Sequence, residues 1–115
     1  MLKYQKIMSD RRSGDDRRNS NRYPVDVNIE WQGQGERQKG TLSDVSLDGC
    51  FVLCSGEVEV GEAIHMYVPL ADGMKVEFRG RVRNNVFEIG FGLRFDSVSS
   101  AQRDLLIKLV RDAES

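Results

Sequence analysis

The chain has 115 residues, with 17 basic and 18 acidic side chains and a net charge of −1. That length supports one domain with a modest core and excludes a separate catalytic domain of ordinary size. At 39% hydrophobic and 30% charged, its composition is that of a globular chain, neither disordered nor membrane-spanning.

The charge is unevenly placed. Residues 1–22 hold seven basic and three acidic groups, net +4, so the remainder carries −5. An acidic body disfavours DNA or RNA as a bulk electrostatic partner, because nonspecific phosphate binders present a net basic surface. A small anion held at the basic segment stays open. Residues 1–22 are polar, broken by Ser13-Gly14 and Ser20-Asn21, and show no apolar periodicity after Met8. They read as a flexible arm.

Pro24 marks the entry to structure. Val25, Val27, Ile29 and Trp31 alternate with polar residues, the period of a half-buried strand. Gly33-Gln34-Gly35 turns the chain into a second strand over 38–44, and the apolar run 49–53 suits a third. Alternation through Ile64, Met66, Val68 and Leu70 predicts a fourth strand over 63–70. Asp72-Gly73 is a turn dipeptide leading to a fifth, Met74 to Val82. Asn84-Asn85 is read as the next turn. Phe87, Ile89, Phe91, Leu93 and Phe95 then place five apolar side chains on one core face of a sixth strand. Gly90 and Gly92 between them suggest a bulge or a close backbone approach. Leu105, Leu106, Leu109 and Val110 change to helical spacing behind a Ser99/Gln102 capping box, predicting a helix over 100–112. Short strands, tight turns and one closing helix indicate an all-β fold, a small antiparallel barrel.

Other chemistry has little support. MLKYQKIMSD contains no apolar signal-peptide core, and the longest apolar run, 50–54, is far too short for a membrane span. A cytoplasmic location is therefore expected. On one strand Cys50 and Cys54 would sit about 13 Å apart, too far for a disulfide. With a single histidine they also fall short of a zinc site, so they read as small core hydrophobes. His65 stands alone on an alternating strand and reads as a packed or surface residue. No P-loop or dinucleotide-binding glycine pattern occurs, so no enzyme activity, metal or cofactor is expected.

Two local patterns remain. Arg17-Arg18-Asn19-Ser20-Asn21-Arg22 places arginines four residues apart ahead of the first strand. A guanidinium fork matches phosphate oxygens or the O6/N7 edge of guanine, and its plane stacks on purines. Asp44-Val45-Ser46-Leu47-Asp48-Gly49 joins the second and third strands. Asp44 can accept from the guanine N1–H and N2–H₂ donors, and the Ser46 hydroxyl can meet a phosphate or the base. Gly49 allows a positive-φ turn or a close ligand approach. Read singly, the first pattern is sooner a solvated basic tail, or a helix face pairing Arg18 with Arg22, and the second is equally an ordinary Asx or Ser turn.

Taken together, Arg-Arg-x-x-x-Arg followed some twenty residues later by Asp-x-Ser-x-x-Gly resembles the PilZ domain family. The resemblance runs over about residues 10–113, and Gly90-Phe91-Gly92-Leu93-Arg94-Phe95 looks like that family's last strand. It implies a six-stranded antiparallel PilZ-type β-barrel with a C-terminal α-helix and a flexible arginine-rich arm at residues 1–14, the domain spanning 15–115. It also implies binding of cyclic di-GMP through Arg17, Arg18, Arg22, Asp44, Ser46 and Gly49. Arg11-Arg12 nearly duplicates Arg17-Arg18, and the spacing to Arg22 favours Arg18. The implied role is a receptor that orders its arm on binding and signals to a downstream effector protein. Competing readings are a barrel used for protein contacts without nucleotide, and a small RNA-binding barrel. The latter wants exposed aromatics on basic strands.

Overall fold

A computed structural model describes residues 21–114. Six strands form: β1 Tyr23–Gln32, β2 Gln38–Val45, β3 Gly49–Leu53, β4 Ala63–Pro69, β5 Lys75–Val86 and β6 Gly90–Phe95. A helix, α1, follows at Ser100–Glu114. The strands close into an antiparallel barrel in the order β1-β2-β3-β6-β5-β4, with Trp31 opposite Met66 where β1 meets β4. Closure pairs every strand on both sides, which removes the edges that strands this short would otherwise expose.

The period-two pattern fills the interior. Ile29, Trp31, Leu42, Val52, Ile64, Met66, Val68, Phe78, Phe91 and Leu93 are all buried. Trp31 meets Phe91 edge-on at 5.1 Å between ring centroids, and Phe78 lies 5.2 Å from Phe95. Such contacts add to the hydrophobic gain of burying the rings. Cys50 is buried, its sulfur 3.8 Å from that of Met66, and burial pushes its thiol pKa up. Cys54 lies just beyond β3, partly exposed, and neither cysteine is in a disulfide. His65 is a partly exposed residue of β4 that contacts the Glu77 carboxylate. That contact, assisted by Arg79, holds the Glu77 carboxyl below the usual range.

The capping box forms as the sequence predicts. The Gln102 amide donates to Ser99 Oγ at 3.1 Å, and the Ser99 amide donates to Gln102 Oε1 at 2.7 Å. Gln102 Nε2 also donates to the Glu77 carbonyl at 2.7 Å, tying the helix start to β5. Leu106 and Val110 are the fully buried face of α1, which packs against β1.

One turn differs from expectation. Asn84 and Asn85 lie within β5, and the chain reverses at 86–89, where the Ile89 amide donates to the Val86 carbonyl at 2.9 Å. Phe87 and Ile89 are therefore not core. They are 79% and 53% exposed, and the buried face of β6 begins at Phe91. Alternation stops reporting a sheet face once the residues belong to a turn. The asparagine side chains instead serve the wall. Asn84 Oδ1 accepts from the Gly92 amide at 3.1 Å beside a β5/β6 register shift, and Asn85 Nδ2 donates to the Val58 carbonyl at 2.8 Å. The close approach expected near Gly90 is present: a Cβ there would lie 2.0 Å from the Val52 carbonyl oxygen.

Phe91→Ala should lower stability by about 3–5 kcal/mol, the range for emptying a packed aromatic site. Phe87→Ala should change it by no more than about 0.5 kcal/mol, as for an exposed position. Urea unfolding midpoints measure both, and similar losses for the two would return Phe87 to the core.

Candidate functional site

The hairpin geometry joins two segments far apart in the sequence. β1 and β2 run antiparallel, with Pro24 opposite Asp44 and Tyr23 opposite Val45. Arg22, immediately before β1, is thereby delivered to the end of β2. Its Nη1 donates to Asp44 Oδ1 at 2.6 Å, an ion pair whose side chains are 39% and 30% exposed. At that exposure the pair stabilises the fold by less than about 1 kcal/mol. Its interest is placement: a cationic fork and a carboxylate are held side by side on the outer surface of the barrel.

The turn after β2 is built around Ser46. Ser46 Oγ accepts from the backbone amides of Asp48 and Gly49, each at 3.1 Å, and lies 3.2 Å from the Gly49 carbonyl oxygen. The Ser46 amide also donates to the Gly49 carbonyl at 2.8 Å. Ser46 is 3% exposed. In this conformation its hydroxyl shapes the turn and does not face solvent.

Gly49 has a different reason from a positive φ, since among the described residues the positive-φ glycines are Gly61, Gly73 and Gly90. A Cβ at Gly49 would lie 2.1 Å from the Leu93 carbonyl oxygen of β6, a clash with backbone that no rotamer relieves. The turn is anchored to β6 a second time where the Phe95 amide donates to the Asp48 carbonyl at 2.8 Å. Asp-x-Ser-x-x-Gly is therefore a joint in the barrel wall, tied to β6.

Of the residues singled out in the sequence, Arg22, Asp44, Ser46 and Gly49 come together. Arg17 and Arg18 lie outside the described residues, as do Arg11, Arg12 and the arm expected at 1–14. Sequence reasoning passed over Arg94, which the β3/β6 register sets opposite Gly49. Arg94 is the charged residue in an otherwise apolar and glycine-rich last strand, but only the register places it beside the turn.

A profile of the PilZ domain matches residues 16–112. The chain belongs to the PilZ domain family. No curated protein matches it. Among solved structures it is similar to the PilZ domain of CeSA from a cellulose-synthesizing bacterium, at 20% identity and TM-score 0.63, over 84% of this chain and 100% of that one. It is similar to the PilZ domain of YcgR from Escherichia coli, solved with c-di-GMP, at 18% identity and TM-score 0.66, covering 85% and 92%. The PlzA protein of Borreliella burgdorferi, in complex with c-di-GMP, matches at 14% identity and TM-score 0.64, over 95% of this chain but 45% of that one. These likenesses establish that the barrel and its helix are a PilZ fold. Among the described residues no helix is long and apolar enough to cross a membrane.

Ser46→Ala in this PilZ domain should cost about 1–3 kcal/mol, because two backbone amides, that of Gly49 buried and that of Asp48 part-buried, lose their acceptor. Arg22→Ala should cost less than about 1 kcal/mol. Thermal unfolding distinguishes them, and an Arg22 loss equal to that of Ser46 would mean the ion pair is a structural keystone.

Proposed function

We propose that this chain is a receptor for cyclic di-GMP, with Arg17, Arg18, Arg22, Asp44, Ser46 and Gly49 forming its site and no catalytic step involved. The observation that carries this reading is the Arg22–Asp44 pair, which brings the two halves of the motif within one hydrogen bond of each other. A guanidinium beside a carboxylate matches a guanine nucleotide in both of its parts. The fork takes phosphate oxygens or the O6/N7 edge, and the carboxylate takes the N1–H and N2–H₂ donors. Family membership, and the c-di-GMP held by the PilZ relatives YcgR and PlzA, support the same ligand.

The net charge of +4 over residues 1–22 suits a ligand with two phosphates. In this reading the arm closes on the dinucleotide, and the ordered arm with its ligand is a new surface for a downstream effector protein in the cytoplasm. Ser46 and Gly49 act chiefly by holding the turn in the shape that presents Asp44.

Isothermal titration with cyclic di-GMP, against single-stranded RNA as control, is the direct test. Arg22→Ala and Arg18→Ala should abolish binding or weaken it at least about tenfold, the effect of losing a charge-assisted hydrogen bond, while the barrel stays folded. Asp44→Ala should reduce the preference for cyclic di-GMP over cyclic di-AMP. Unchanged affinity in both arginine variants would remove the site assignment. Binding of RNA, or of neither ligand, would favour the other readings of the barrel. Hydrogen exchange over residues 10–22 should slow on binding, and indifference to ligand would eliminate the closing arm.

A further inference from the structure

We infer that Arg94 extends the ligand site across the barrel wall and binds a phosphate of the cyclic dinucleotide, beside the Ser46–Gly49 turn. This rests on the receptor reading above and adds a residue that neither motif contains. Arg94 is exposed between buried Leu93 and Phe95, so it projects from the outer face of β6. Asp44 likewise lies on the outer face of β2: it pairs with Phe51, which is set between buried Cys50 and Val52. From Asp44 to Arg94 is two strand spacings across and two residues along, about 10–12 Å between Cα atoms for regular sheet geometry. A long arginine side chain covers much of that span, so one dinucleotide seated on Asp44 lies within its reach.

Three features single this arginine out. Its backbone is locked to the motif turn on both sides, by the Gly49–Arg94 register and by the Phe95 amide bonded to the Asp48 carbonyl. Any ligand that reads the turn therefore meets the root of this side chain in a fixed position. Arg94 also stands directly opposite Arg81 on β5. Like charges at opposed cross-strand positions are unfavourable, and no acidic side chain offsets them through an ion pair among the described residues. Arg81 turns away, its Nη1 donating to the Gly61 carbonyl at 3.0 Å, whereas Arg94 makes no hydrogen bond or ion pair among the described residues. An unpaired guanidinium next to a second cation is a place for an anion, and the anion this site is read to receive is a phosphodiester.

The experiment is calorimetric titration of the full chain with cyclic di-GMP, comparing wild type with R94A, R94K, R22A and, as an exposed arginine of α1 outside both motifs, R103A. R94A should bind at least about tenfold more weakly, the loss of a charge-assisted bond, and R94K should fall between, keeping the charge but not the fork. R103A should match wild type. Because R94A relieves a like-charge opposition, its unfolding midpoint should equal or exceed that of wild type, which separates lost binding from lost fold. If the alanine variant nevertheless unfolds, R94K carries the comparison. R94A within twofold of wild type while R22A loses binding overturns the role of Arg94 and leaves the receptor reading intact. Wild type that does not bind cyclic di-GMP overturns both.

Discussion

The close approach of Gly49 to the β6 backbone is the constraint on which the site depends. A Cβ there would stand 2.1 Å from the Leu93 carbonyl oxygen, so the turn and the last strand fit together without a side chain between them. The Asp48–Phe95 backbone bond and the ring of bonds around Ser46 Oγ fix the rest of the turn. Asp44 is thus presented from a piece of barrel wall instead of a free loop. A site built on regular elements loses less order on binding than one built on a mobile connection, so more of each contact appears as affinity.

That arrangement divides the work by charge. The barrel is the acidic part of the chain and the first 22 residues are the basic part. A carboxylate at the surface repels phosphate, so Asp44 beside Arg22 disfavours a plain anion and favours a ligand offering N–H donors as well as phosphates. In the receptor reading, a preference for guanine follows from the sign of Asp44, and attraction for phosphate from Arg22 beside it. The existing Arg22–Asp44 bond does not oppose this strongly. An exposed pair is worth less than about 1 kcal/mol, so exchanging it for ligand contacts loses little.

Much of this was legible before the fold was known, and what was not has identifiable physical causes. Strand alternation from Val25 to Trp31 and from Ile64 to Val68 reported the core correctly, because those residues stay in one strand with one buried face. The same pattern misled at Phe87 and Ile89, which occupy the reversal itself. Asn84-Asn85 looked like turn residues because their side chains readily satisfy backbone groups. They do satisfy backbone groups, but from within a strand, at Gly92 and Val58. The motif positions of Ser46 and Gly49 could be read from spacing, and the bonds of Ser46 close within three residues as in an ordinary turn. The role of Gly49 could not be read, because it depends on β6, more than forty residues later in the chain.

Arg94 shows the same limit from the other side. Nothing local to GFGLRF distinguishes a solvated arginine from a ligand-facing one. What distinguishes them is the register that puts Arg94 opposite Gly49 on one flank and Arg81 on the other. Within the cyclic dinucleotide reading, that register makes the barrel wall a graded surface. The carboxylate of Asp44 stands at one end for a base, and unpaired positive charge stands at the other for a phosphate. A ligand carrying both groups on one rigid ring spans the two ends in a single orientation, whereas a free nucleotide base or inorganic phosphate would engage one end alone. Selectivity for a cyclic dinucleotide over its fragments is then a consequence of strand order, set by the same β3–β6 contact that requires Gly49.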